Sequence, residues 1–290
     1  MTETTFQPLV ECRCTLGEGP VWQTETSALF WTDVDGQRLW RWSEAEGATS
    51  RRVIAPVGAL ARGEGGTLVA PMARGFARID PASGAAEALT DPLASPEGTL
   101  MNDGKCDRRG RLIGGSKHLA ENAAEGVAFV LDRGSLRVLR EGFTVFNGPA
   151  FNLAGDRIYF ADTPSQRIMT AAYDLDTGTM DTPQVFAALG KDEGYPDGMT
   201  VDAEGYLWSA RWDGWAVARY APGGALDRVF NVPVPRPTSL TFGGAATDTI
   251  FLTSARTGLD EAALKAAPLC GALFTARLGY RGIEEPIYRD

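Results

Sequence analysis

Asp156-Arg157-Ile158-Tyr159-Phe160-Ala161 is a short run of β-branched and aromatic side chains, the composition of a strand rather than a helix. Comparable runs occupy residues 28–32, 67–70, 111–114, 206–210 and 249–253. Their centres lie roughly 40 to 50 residues apart, the period at which four strands per repeat build the blades of a propeller. Within the units, a second aromatic-rich run ends in a polar turn such as Asp80-Pro81-Ala82-Ser83-Gly84, Asp174-Leu175-Asp176-Thr177-Gly178 or Tyr220-Ala221-Pro222-Gly223-Gly224. Recurrence of strand, strand and turn fits a radial array of similar sheets better than a sandwich. The expected fold is all-β, a six-bladed β-propeller around a central channel. Only residues 259–267, whose Asp260-Glu261 start suits a first turn, are expected to be helical.

The chain has 290 residues, 44% hydrophobic and 22% charged, the balance of an ordinary globular protein. No Pro/Ser-rich or single-charge stretch divides it, so residues 1–290 are expected to form a single propeller domain. A formal net charge of −9 sets up a field that repels phosphate backbones and anionic membranes, which argues against nucleic-acid or membrane partners. Residues 1–16 include Glu3, Glu11 and Arg13 and no apolar run of signal-peptide length, so the expected compartment is the cytoplasm. A monomer or weak dimer is expected. The four cysteines, Cys12, Cys14, Cys106 and Cys270, complete no zinc pattern and read as buried or incidental thiols.

Four turn-like tetrapeptides place an oxygen-bearing side chain beside or near glycine: Gly17-Glu18-Gly19-Pro20, Asn102-Asp103-Gly104-Lys105, Phe146-Asn147-Gly148-Pro149 and Pro196-Asp197-Gly198-Met199. Singly, each is an ordinary turn signal. Each sits upstream of a strand run in a different repeat, however, and equivalent positions of propeller blades meet around the central channel. Glu18, Asn102, Asn147 and Asp197 would there present two carboxylates and two amide oxygens. Such a set suits one hard divalent cation, Ca²⁺, Mg²⁺ or Mn²⁺ before a thiolate-loving metal, with Zn²⁺ and Fe²⁺ left open.

Leu16-Gly17-Glu18-Gly19-Pro20-Val21-Trp22, Asn102-Asp103-Gly104-Lys105 with Asp107 and Gly110-Arg111-Leu112, Asn147-Gly148-Pro149, Tyr195-Pro196-Asp197-Gly198-Met199 with Asp202, Gly205 and Leu207-Trp208, and Phe242-Gly243-Gly244 together resemble the signature series of the senescence marker protein/gluconolactonase family. The resemblance runs through nearly the whole chain. It implies a six-bladed propeller, a single divalent metal in the channel and hydrolysis of aldonolactones or related esters. It also implies Glu18, Asn147 and Asp197 as metal ligands, with Asn102 holding substrate or water. Two positions depart from the pattern. Leu100 stands where relatives often carry an arginine, and Gly115-Ser116-Lys117 replaces a common Gly-Thr-Met. Lys117, His118 and Glu121, in the loop 116–125, are the expected replacement substrate contacts.

The expected reaction is metal-dependent hydrolysis of a small-molecule sugar lactone to the sugar acid, with Asp197 as first choice of catalytic base and Glu18 as second. A serine hydrolase is disfavoured, because the sequence has one histidine and no Gly-x-Ser-x-Gly elbow. Two alternatives keep the metal: an esterase or organophosphate hydrolase, and a propeller that binds metal without catalysis.

Overall fold

The computed structural model describes residues 6–91, 93 and 96–290, and Glu3 of the N-terminal stretch discussed above lies outside the described residues. Six antiparallel sheets make six blades. Their innermost strands begin at Gly17, Ala61, Thr99, Phe146, Tyr195 and Pro237. Each strand run expected from the sequence is the second strand of one blade: Ala28–Asp33, Leu68–Met72, Leu112–His118, Arg157–Asp162, Leu207–Trp212 and Thr249–Ser254. A second strand has a neighbouring blade against each face, so its residues are apolar almost without alternation. Toward the rim the burial fades. Gly47–Arg52 and Leu226–Asn231, fourth strands of the first and fifth blades, are largely exposed.

The core accordingly comprises six separate clusters, one in each seam between adjacent blades. Phe151, Ile158 and Phe160 of the fourth blade, for example, pack on Ile113 and Ala128 of the third. The ring is closed by the N-terminal strand Gln7–Val10, which pairs with Leu273–Ala276 and supplies the fourth strand of the last blade. Near the other terminus, Ile287–Tyr288 runs parallel to the innermost strand Ala61–Gly63. The helix is shorter than expected, Glu261–Ala266, and is capped by the Asp260 carboxylate accepting from the Ala263 N–H at 2.8 Å. No helix among the described residues is long and apolar enough to cross a membrane.

Two buried aspartates fix the turns between first and second strands. Asp202 accepts from the Glu204 and Tyr206 N–H groups, each at 2.9 Å, and from Trp208 Nε1 and Arg219 Nε, each at 2.8 Å. Asp107 does the same with the Arg109 and Arg111 N–H groups, Arg111 Nε and the Tyr173 hydroxyl. Replacing Asp202 by alanine leaves the Glu204 and Tyr206 N–H groups and Trp208 Nε1 without their acceptor, while Arg219 keeps Asp227 and Glu204. Urea unfolding of Asp202→Ala is expected to show a stability loss of about 2–4 kcal/mol, and a loss below about 1 kcal/mol would contradict this role.

Candidate metal centre

Five of the six innermost strands carry a shared irregularity. Their pairing slips between Glu18 and Val21, Met101 and Gly104, Asn147 and Ala150, Pro196 and Met199, and Pro237 and Leu240. A regular strand sends alternate side chains to opposite faces, whereas a bulge re-aims one residue and frees its backbone from the ladder. Glu18, Asn102, Asn147 and Asp197 all lie at these slips, and all four line one cavity of about 500 Å³. Glycine makes the close approach possible: Gly148 has φ of +59°, and a Cβ there would stand 2.6 Å from the Asp197 carbonyl oxygen.

Hydrogen bonds orient the amides. The Thr163 hydroxyl donates its only proton to the Pro196 carbonyl at 2.9 Å, so it accepts from Asn147 Nδ2 at 3.0 Å. That leaves Asn147 Oδ1 turned toward Asn102, whose Nδ2 donates to it at 3.1 Å and to the Phe146 carbonyl at 2.9 Å. Both Asn102 N–H groups are thereby used, and its oxygen remains available as an acceptor.

Asp103, next to Asn102, braces the site from below. Its Oδ2 accepts from the Gly148 N–H at 2.7 Å and its Oδ1 from the Gly104 N–H at 2.6 Å, which ties the bulge of the third blade to that of the fourth. Burial raises its carboxyl, with those two N–H groups opposing. Burial first, and then repulsion from Asp197 and Asp103, pushes the Glu18 carboxyl well above the usual range. Burial and then Asp103 do the same to Asp197, against the opposing charge of Lys117.

Asp197 Oδ1 is buried and has no hydrogen-bond partner. An orphaned carboxylate oxygen beside a second raised carboxyl is a site that a cation would satisfy, so the residues present fit a divalent metal. Among the described residues no group of three or more His, Cys, Asp and Glu is arranged to hold a metal. The donors are therefore mixed carboxylate and amide oxygens.

Lys117 and Glu121 line the same cavity and are bonded to each other, Nζ to Oε1, at 2.9 Å. Leu100 lies directly across the ladder from Lys117. His118 is not among the lining residues; its Nε2 stands 4.0 Å from Glu125 Oε2. Strand alternation separates it from Lys117, because the strand Leu112–His118 extends four residues past the run read from the sequence. Not anticipated as site residues were Asp103 and Tyr195, which stand inside the quoted motifs without a role of their own, and Thr163, Trp212 and Arg236, which have no motif to mark them.

Glu285 links the innermost strands of the third and fifth blades. Its carboxylate meets Lys105 Nζ at 2.9 Å and the Thr200 hydroxyl at 3.1 Å. Burial alone would raise this carboxyl, but Lys105 and Arg108 hold it below its ordinary value. It lines, with Asp103, Met199 and Pro286, a cavity of about 20 Å³, room for one water.

The raised carboxyls give a pH dependence with a definite sign. Metal-free folded protein holds protons on Glu18 and Asp197 that the unfolded chain releases near pH 4, so its stability falls as pH rises from there. A divalent cation must displace those protons, so its affinity rises over the same range. Calorimetric titration of chelated protein with Ca²⁺ or Mn²⁺ is expected to show tighter binding and greater proton release per ion at mildly alkaline than at mildly acidic pH. An affinity independent of pH would rule this out.

A family model described as the SMP-30/gluconolactonase/LRE-like region matches residues 16–256. The chain is 33% identical to the pentonolactonase XacC of Haloferax volcanii, covering 99% of this chain and 98% of that protein. It is also 33% identical to regucalcin of Macaca fascicularis, over 94% and 93% respectively. A calcium-binding protein, regucalcin, from Agrobacterium tumefaciens superposes with a TM-score of 0.94 at 28% identity, covering 100% of both chains. With its fold, its bulged channel strands and a match through most of its length, the chain belongs to the SMP-30/gluconolactonase/LRE-like family.

Proposed function

We propose that this protein is a metal-dependent lactonase that hydrolyses a sugar lactone to its sugar acid. The observation that carries this reading is the convergence of Glu18, Asn147 and Asp197 on one cavity, with Asp197 Oδ1 left unpartnered. The relatives support it, since one is named a pentonolactonase. Glu18, Asn147 and Asp197 would hold the ion, and calcium is the first candidate because a solved relative is a calcium-binding protein. When bound, a divalent cation supplies Lewis acidity that polarises the lactone carbonyl and acidifies a nearby water.

The chain's own groups do the rest. Asn102 Oδ1, freed by the commitment of its Nδ2, accepts a hydrogen bond from the attacking water or a substrate hydroxyl. The Asp197 carboxylate takes the proton as that water adds to the carbonyl carbon. When the ring carbon–oxygen bond breaks, the same carboxylate returns the proton to the leaving alkoxide, which becomes the hydroxyl of the sugar acid. Glu18 is the second candidate for this proton. Lys117 and Glu121 contact the substrate from the cavity wall.

Proton release is to be followed with a panel of pentono- and hexono-lactones, an aryl ester and an organophosphate, using chelated enzyme with and without each divalent metal. Hydrolysis of a sugar lactone restored by metal is expected, and Asp197→Ala is expected to lower it by roughly 10²- to 10⁴-fold. Preference for the aryl ester or organophosphate would replace the sugar-lactone reading. Tight metal binding with no turnover would leave a binding propeller instead.

A further inference from the structure

Cys12 and Cys14 stand between the ring-closing strand Gln7–Val10 and the innermost strand of the first blade, which begins at Gly17. Neither lines the metal-centre cavity. Arg13 between them has φ of +52°, a left-handed conformation that is uncommon for a residue with a Cβ. In an extended chain, residues i and i+2 stand roughly 7 Å apart, the separation beyond which two cysteines cannot be bridged without backbone movement. The left-handed residue folds the segment back and brings the two cysteines nearer than that.

Their side chains are in contact. The Cys14 thiol donates to the Cys12 sulfur, and the Trp31 indole donates to Cys14 in turn. Cys12 Sγ lies 3.2 Å from the Gly271 carbonyl oxygen, and the Cys14 N–H donates to that same oxygen at 2.9 Å. Gly271 has φ of +80°, and a Cβ there would stand 2.4 Å from the Cys14 carbonyl oxygen, so only glycine lets this turn run against the pair.

The two thiols differ in access and in chemistry. Cys12 is half-buried, whereas Cys14 is 1% exposed. The hydrogen bond from Cys14, supported by the Cys14 and Leu273 N–H groups, holds the Cys12 thiol below its ordinary value against the opposing effect of burial. The same bond, and then burial, raises Cys14, which stays protonated. An accessible thiol that ionises readily beside a protonated neighbour is the arrangement of a peroxide-reactive cysteine and its resolving partner. A structural staple would join segments distant in sequence, because closing so short a loop constrains the unfolded chain little.

We propose that Cys12 is a site of reversible oxidation by hydroperoxides, with Cys14 as its resolving thiol. The Cys12 thiolate attacks one oxygen of hydrogen peroxide. The sulfur–oxygen bond forms as the oxygen–oxygen bond breaks, and the departing hydroxide combines with the proton that Cys12 released to give water. The sulfur loses two electrons and the peroxide gains them. The Cys14 sulfur then attacks the sulfenic sulfur of Cys12: the sulfur–sulfur bond forms, the sulfur–oxygen bond breaks, and the leaving hydroxide takes the Cys14 proton as a second water. A small-molecule dithiol reverses the bridge by exchange.

The test treats full-length protein with hydrogen peroxide in the presence of a chelator, alkylates the remaining thiols and digests with trypsin. Cleavage after Arg13 and Arg38 separates Cys12 from Cys14. Loss of two of the four thiols is expected, with residues 1–13 joined to residues 14–38 by a bond that dithiothreitol breaks. In Cys14→Ser, which lacks the resolving thiol, dimedone is expected to label Cys12 as the sulfenic acid. In Cys12→Ser, Cys14 is expected to survive the same dose as a free thiol. Survival of all four thiols, a bridge to Cys106 or Cys270 instead, or a covalent dimer through Cys12 each overturns the proposal. If Cys14→Ser fails to fold by circular dichroism, Cys14→Ala is read with the same label, and the linked peptides of the wild-type protein decide without any variant.

Discussion

Two carboxylates facing one cavity repel each other, and the closed ring of blades keeps them from moving apart. Glu18 belongs to the first blade and Asp197 to the fifth, so separating them means opening apolar seams. Those seams are filled by large side chains such as Trp31 and Phe251 between the last and first blades, and Trp208 and Phe242 between the fifth and sixth. Burying such side chains is worth roughly 1.5–3 kcal/mol each, so several of them outweigh one pair of repelling acids. The Asp107 and Asp202 pins stiffen the strands from which the site projects. Burial first, and then repulsion from neighbouring carboxylates, raises the Glu18 and Asp197 carboxyls, which a divalent ion would relieve.

The bulges convert this ring into a site. An innermost strand with unbroken pairing would spend its N–H and C=O groups on its neighbour and aim alternate side chains into the seams. Slipping the register at the metal-binding end lets Glu18, Asn102, Asn147 and Asp197 face the channel, at the cost of backbone groups left without ladder partners. Those groups are recovered individually. The Thr238 hydroxyl donates to the Gly17 carbonyl at 2.5 Å, Asp103 accepts from the Gly104 and Gly148 N–H groups, and Asn102 donates to the Phe146 carbonyl. Asp103 is thus a positioning residue: its two oxygens are occupied by backbone donors, and its effect on chemistry runs through the amides that it aligns.

What the sequence could disclose follows from which physical signals are local. The second strands were legible because packing on both faces makes them apolar runs, and the four side chains that share one cavity because glycine beside an oxygen-bearing residue is a local mark of a tight backbone approach. The buried Glu285 was not legible: it meets Lys105 and Thr200 across 180 and 85 residues, and nothing near Glu285 in sequence marks the partnership. Arg236 and Trp212 at the cavity wall belong to the same class. Lys117 and His118 were grouped together because the apolar run ends at Gly114, whereas the strand continues to His118 and its alternation parts them. The Leu100–Lys117 pairing likewise needs the ladder register, which crosses a bulge and so cannot be counted from residue numbers alone.

The two groups of site residues occupy different environments, and this bears on how substrate preference can diverge within the family. Asn147 and Asp197 are on strands closed in by neighbouring blades, where a change of volume or charge is costly. Glu121 and Asp35 are exposed, and Lys117 stands at the end of its strand. Substitution there meets little packing resistance, so the enclosed carboxylates and amides can persist while the cavity wall changes. A pentonolactonase and a regucalcin can then be equally similar to one chain. Most side chains of the fold fill seams and bulges, whereas only a few, Lys117 and Glu121 among them, line the mouth of the cavity, so a whole-chain identity says little about that wall.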